Sequence, residues 1–197
     1  MRKILLILIL VFTAYSLQIG VYSQAIAQTN KVVMIIAENN FQDDEFFIPK
    51  KVLETNGIEV TVASTSLDEA TGMLGATVKP DILVADIEVT DFDVILFVGG
   101  SGAVQYLDDS RAHNLAWEAI RENRIVAAIC IAPVILANAG ILEGRQATVW
   151  PSEGNKLQAK GVIYTGQPVE IDGNIITSSG PAAATEFGEE IVKALNR

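Results

Sequence analysis

The 197-residue chain has one cysteine and one histidine. A lone cysteine excludes an internal disulfide, and with a single histidine beside it the chain cannot assemble the usual nitrogen and sulfur ligand set of zinc. No zinc site is therefore expected. Basic residues are also scarce, 14 Lys and Arg against 24 Asp and Glu, for a net charge of −10. With no basic cluster, nucleic acid and anionic membrane are poor partners. Internal repeats, low-complexity tracts and linkers are absent too, so the chain reads as one core rather than two domains.

The chain opens on an apolar run behind two basic residues. Arg2 and Lys3 precede the apolar residues 4–12, and Ala25-Ile26-Ala27 supplies a small-x-small cleavage site. This pattern is a secretory signal peptide over residues 1–27, leaving a single domain over residues 28–197. Thr13, Ser16 and Gln18 interrupt the run, so no stable membrane span is expected after cleavage. Cleavage removes two basic residues and no acidic ones, moving the net charge from −10 to −12. The expected location is periplasmic or extracellular. In such a compartment an unbridged thiol is unusual, which directs attention to Cys130.

Residues 31–37 (KVVMIIA), 93–98 (DVILFV) and 125–129 (IVAAI) are continuous apolar strands, the kind found in a parallel sheet covered on both faces. Residues 57–64 (GIEVTVAS) alternate as another strand, and residues 66–87 read as a hairpin excursion turning at Lys79-Pro80-Asp81. Residues 169–171 and 174–177 form a hairpin around Asp172-Gly173. Helices are expected from about Asp43 to the Asn56-Gly57 stop, over residues 112–123, after Cys130 up to Gly140, and from Pro181 to the end. Alternating strands and helices around buried apolar runs imply an α/β domain with a mostly parallel sheet, whose ligands sit at the carboxyl ends of the strands.

Three segments meet at that edge. Cys130 falls where a strand turns sharply into a helix, the geometry of a nucleophile elbow, although the G-x-S-x-G form is absent. The alternative for such a residue is a small buried hydrophobe. As a nucleophile it would draw on the following helix N-terminus, which lowers a thiol pKa toward neutrality. Glu45 lies at the start of the first helix, four residues before Pro49, and between Phe46–Phe47 and the preceding strand its burial would raise its pKa. Asp43 and Asp44 read as a solvated acidic helix start. Gly99-Gly100-Ser101-Gly102 follows a strand without the Lys-Ser/Thr of a phosphate loop, which favours backbone N–H groups approaching a ligand, as in an oxyanion hole. His113 sits on a helix that enters the Cys130 strand from its far end and reads as a surface or packing residue.

EFFIP at residues 45–49, VGGSGA at 98–103, AAICIAPVILANAGIL at 127–142 and ITSSGPAAATEF at 176–187 together resemble the ThiJ/PfpI superfamily. This superfamily includes the parkinsonism-associated deglycase and the PfpI-type intracellular proteases, and the resemblance runs through the whole mature chain. It implies a flavodoxin-like three-layer α/β sandwich, usually a homodimer, with Cys130 as the elbow nucleophile and Glu45 as its carboxyl partner. It also implies Gly100 and Ile131 as oxyanion-hole amides, with Gly99 and Trp150 lining the pocket. Two departures stand out. Protease-type members carry a histidine directly after the cysteine, where this chain has Ile131. Deglycase-type members carry one before the proline of the later loop, where it has Trp150 before Pro151.

The expected function is a cofactor-independent, cysteine-dependent enzyme acting on small reactive carbonyls, similar to the family's glyoxalase-like and deglycase-like members, with a Cys–Glu pair and no catalytic histidine. The alternative is a redox-sensing or stress-protective protein working through oxidation of Cys130. Peptidase or amidase chemistry ranks third, because acyl transfer to a thiol needs a base that protonates the leaving amine. An inert member of the fold is the fourth reading.

Overall fold

The computed structural model describes residues 29–197; the expected signal peptide lies outside the described residues. The elements in chain order are β1 (Lys31–Ile35), β2 (Asn39–Phe41), α1 (Asp43–Thr55), β3 (Glu59–Ser64), β4 (Ala70–Gly72), β5 (Thr77–Val78), β6 (Ile82–Leu83) and β7 (Val94–Phe97). There follow α2 (Ser110–Arg121), β8 (Ile125–Ile129), α3 (Pro133–Asn138), β9 (Gln146–Ala147), α4 (Gly154–Ala159), β10 (Ile163–Tyr164), β11 (Val169–Asp172), β12 (Ile175–Ser178) and α5 (Ala184–Leu195).

Seven strands form the central sheet in the order β11-β12-β8-β7-β1-β3-β6. All neighbours are parallel except β11 with β12, the hairpin at Asp172-Gly173. The register places Val32 opposite both Val60 and Val94, and Leu96 opposite Ala127. Alternate side chains of these strands sort into two cores. Val33, Ile35, Ile95 and Ala128 pack with Leu115 and Ala119 of α2 and Ile135 of α3. Val32, Met34, Leu96 and Ile129 pack with Phe46 and Leu53 of α1 and Phe187 and Ile191 of α5. A sheet covered on both faces needs apolar residues at every position, which is why β1, β7 and β8 show no polar alternation. The result is the expected flavodoxin-like three-layer sandwich. Pro49 lies in the α1 interior against α5, where a Cβ on Gly188 would come within 3.2 Å of the Pro49 Cα. Among the described residues no helix is long and apolar enough to cross a membrane.

The chain builds outward from β1 to β3 and β6, then returns to β7 on the other side of β1. This reversal opens a crevice at the carboxyl ends of β1 and β7, beside β8. Two details differ from the sequence expectation. The excursion turns between β4 and β5 at residues 73–76, not at Lys79-Pro80-Asp81, which instead carries the chain to β6 on the sheet edge. The segment after Gly140 contains α4 and a small parallel pair, β9 with β10, elements too short to show a period in the sequence.

Candidate active site

Cys130 directly follows β8 and has φ +63, a left-handed conformation that costs a non-glycine residue energy. The corner is held from three sides. The Cys130 N–H donates to the Ser178 carbonyl at 2.9 Å, its carbonyl accepts from the Trp150 N–H at 2.8 Å, and Ala132 N–H donates to the Ile129 carbonyl at 3.1 Å. The elbow expected at this residue is therefore present, with β12 and the Trp150 loop bracing it.

Glu45 reaches the same point from the first turn of α1. Gln42 caps that helix, its side-chain oxygen accepting from the Glu45 N–H at 2.8 Å, which orients the turn toward the crevice. The carboxyl group is wholly buried, deeper than Phe46 and Phe47 alone would make it. Gly99 explains how carboxyl and thiol share the space: a Cβ there would lie 2.5 Å from the Cys130 Cβ and would also collide with Glu45 Oε2. Gly100, at φ +98, is equally constrained, because a Cβ would strike the backbone of Asn40 and Gln42. The glycine turn thus brings its amides close to the thiol by removing side chains. The backbone N–H groups of Gly100 and Ile131 both approach the Cys130 sulfur.

Neither Glu45 oxygen has a fully formed hydrogen bond. Burial pushes the carboxyl up to about 7, against the weaker pull of the Cys130 thiol and the Gly99 amide. Burial also pushes the Cys130 thiol up, together with the charge of ionised Glu45, to about 12, with the amides of Gly100 and Ile131 opposing. This corrects the expectation of a thiol drawn toward neutrality by a helix. The α3 helix has only six residues and begins at Pro133, three positions past the sulfur, so its dipole is small beside the desolvation. The two groups titrate as a pair. The first proton leaves near neutrality; burial is the main reason the thiol value is high, and the charge of ionised Glu45 adds to it.

A cavity of about 490 Å³ opens onto this pair, lined among others by Glu45, Gly100, Cys130, Ile131 and Trp150. Gly99, expected to line the pocket, is not among its lining residues; it has no side chain to reach the cavity and packs against Glu45 and Cys130. A cavity of about 550 Å³ between α1, β3 and β5, lined by Lys50, Lys51 and Lys79 among others, does not include Cys130. His113 is outside the site; its Nε2 is 2.9 Å from the Leu107 carbonyl.

One carboxylate was misassigned from the sequence. Asp43 is buried, not solvated, and accepts hydrogen bonds from the Leu74 N–H at 2.8 Å and the Ala76 N–H at 3.0 Å. It ties the β4–β5 turn to the helix start and so holds Met73, whose sulfur lies 3.4 Å from the Ser101 amide nitrogen, at the rim of the cavity. Gly72 is again the enabling residue, since a Cβ there would sit 2.5 Å from the Asp43 carboxyl oxygens.

The DJ-1/PfpI family model matches residues 30–194, nearly the whole described chain. The chain belongs to the DJ-1/PfpI family. An uncharacterized protein from Methanocaldococcus jannaschii is 41% identical over 170 residues, covering 85% of this chain and 83% of that one. A Pyrococcus horikoshii protein named a deglycase is 32% identical over 163 residues, 83% of this chain and 98% of its own. Among solved structures, a ThiJ/PfpI domain protein from Brachyspira murdochii superposes with a TM-score of 0.83 at 34% identity, covering 85% of this chain and 97% of the other. The fold and the family resemblance expected from the four motifs both stand.

Proposed function

We propose that this DJ-1/PfpI domain is a cofactor-independent enzyme that converts small reactive carbonyls through Cys130 and Glu45. The observation that carries the reading is the juxtaposition at the elbow: a strained cysteine facing a cavity, a buried carboxyl beside it that titrates near 7, and two backbone amides at the sulfur. A general base works best when its pKa lies near the working pH. The relative named a deglycase supports carbonyl chemistry as the class.

With an α-oxoaldehyde the balance is as follows. Ionised Glu45 takes the Cys130 proton as sulfur bonds to the aldehyde carbon, and the proton passes to the resulting oxyanion beside the Gly100 and Ile131 amides. The product is a neutral hemithioacetal. Glu45 then removes the hydrogen from that carbon and delivers it to the former ketone oxygen, giving an enediol; it next takes the proton of the hydroxyl on the sulfur-bearing carbon and delivers that proton to the neighbouring carbon. A thioester of a 2-hydroxy acid remains on Cys130. Water cleaves it, restoring the thiol. One water is consumed, and the oxidation of one carbon matches the reduction of the next, so no external redox partner enters. Histidine is not required, because one carboxyl carries every proton.

Methylglyoxal turnover to lactate tests the reading. Wild type should form lactate, Cys130→Ser none, and Glu45→Gln roughly a hundredfold less per unit time. A protein that forms no lactate but takes up two oxygen atoms at Cys130 on peroxide titration, followed by intact mass, would instead act through sulfinate formation. That second reading is favoured by the lone thiol, which has no partner cysteine to divert a sulfenate into a disulfide.

A further inference from the structure

Trp150 occupies the loop position before Pro151, and its surroundings give it a role that a packing residue does not need. Its backbone N–H donates to the Cys130 carbonyl at 2.8 Å, so the residue is tied to the nucleophile itself. Its ring lies against Gly180, where a Cβ would come 2.8 and 3.0 Å from Cε3 and Cζ3 of the indole. The same point is 3.8 Å from Glu45 Oε1, so ring and carboxyl border one space. Yet Trp150 is 43% exposed, and it lines the cavity above the thiol. A rigid aromatic plate, fixed at its backbone and along one edge, is thereby held open to a ligand.

The remaining walls agree. Met73, Val104, Ile131 and Pro181 are apolar, Gln42, Ser101 and Ser152 are polar but uncharged, and no Lys, Arg or His lines the cavity among the described residues. Its ionisable members are Glu45, Cys130 and Glu153, the last paired with Lys156 at 2.5 Å. At about 490 Å³ the cavity is in the range that holds a ligand well beyond a three-carbon oxoaldehyde. An anionic substrate would meet Glu45 with no cation to offset it.

We propose that Trp150 sets the substrate class, selecting neutral α-oxoaldehydes with an aromatic or bulky apolar substituent and excluding 2-oxo acids. This rests on the carbonyl chemistry proposed above and adds the discrimination that the cavity imposes on it. The reacting aldehyde carbon sits at Cys130, and the substituent lies on the indole face.

Steady-state kinetics with phenylglyoxal, methylglyoxal and glyoxylate test the proposal. Wild type should show kcat/KM for phenylglyoxal about tenfold or more above that for methylglyoxal, chiefly through KM, and glyoxylate should give no turnover above the Cys130→Ser background. Trp150→Ala should bring the phenylglyoxal to methylglyoxal ratio close to one, and Trp150→Phe should keep most of it. A wild-type ratio at or below one, or a ratio that survives Trp150→Ala, overturns the proposal. A binding measurement separates this from failure of the chemistry. Acetophenone is titrated into Cys130→Ser protein while the two indole N–H resonances are followed by NMR, Trp117 serving as reference because its Nε1 donates to the Ala139 carbonyl at 2.8 Å, away from the cavity. A shift at Trp150 alone, unaffected by equal benzoate, supports the aromatic subsite even if wild type turns over no oxoaldehyde, in which case only the carbonyl chemistry falls. No shift at Trp150 overturns the subsite whatever the kinetics show.

Discussion

Replacing Glu45 by Gln should stabilise the protein, and by an amount that depends on pH in a defined way. In the unfolded chain this carboxyl ionises near 4.5; in the folded chain, where it is wholly buried with no complete hydrogen bond, it ionises near 7. Between those values the folded state keeps a proton that the unfolded state has lost. Stability therefore falls as pH rises through this window and levels off above it. The difference corresponds to about 3 kcal/mol, a large share of the stability of a domain this size. Gln keeps the shape and cannot ionise, so the variant lacks this loss. Urea unfolding of both proteins from about pH 4 to about pH 8 gives the comparison. The stability of Glu45→Gln relative to wild type should grow by about 3 kcal/mol from the acid end to pH 7 and then hold constant. A difference that stays flat across the range would show that Glu45 is ionised at little cost, and the proton-carrier role would lose its physical basis. Retaining a carboxyl at such expense is the pattern of a functional residue, where stability is traded for activity.

Two further outcomes follow from the same geometry, and a third from the sequence of the first 27 residues. Gly100→Ala places a Cβ against the Asn40 and Gln42 backbone at φ +98, whereas Gly140→Ala, at φ +82 in open space, meets only the left-handed strain; by thermal unfolding the first should cost about 3 kcal/mol or more and the second about 1 kcal/mol. Asp43→Ala removes the acceptor of the Leu74 and Ala76 amides and should cost about 3 kcal/mol in urea unfolding, while weakening substrate binding through the displaced Met73 rim. Export predicts that protein recovered from its native host begins at Gln28 by N-terminal sequencing, whereas an intact Met1 in the cytoplasm would contradict it.

The parts of the site that the sequence revealed are those whose signal is local. Runs such as residues 125–129 announce a strand buried on both faces, and a lone cysteine at the end of one marks the corner. Glu45 was legible because Pro49, four residues on, and Phe46–Phe47 beside it mark a helix start just past the first strand. What stayed hidden depends on partners far along the chain. Asp43 looks like an exposed helix cap until Leu74 and Ala76, more than 30 residues away, fold over it. The thiol misled for a related reason: the chain order shows a helix after Cys130, but neither the shortness of α3 nor the depth of the cleft, and it is the cleft that dominates. Trp150 was placed at the pocket by its position before Pro151 of the later loop, while the bare backbone of Gly180 that supports its ring is a tertiary contact with no sequence period.

The central claim, that Cys130 and Glu45 act as one proton-sharing unit, is tested most directly by the iodoacetamide alkylation rate of Cys130 against pH in wild type and Glu45→Gln. Because this is the only thiol in the chain, the chemistry reports on one site. The pair predicts a wild-type rate that rises with a midpoint near 7, as the first shared proton leaves, and a Glu45→Gln profile from which that midpoint is gone. Identical profiles for the two proteins, both rising only in the range of an isolated thiol, would show that the carboxyl and the cysteine do not share a proton.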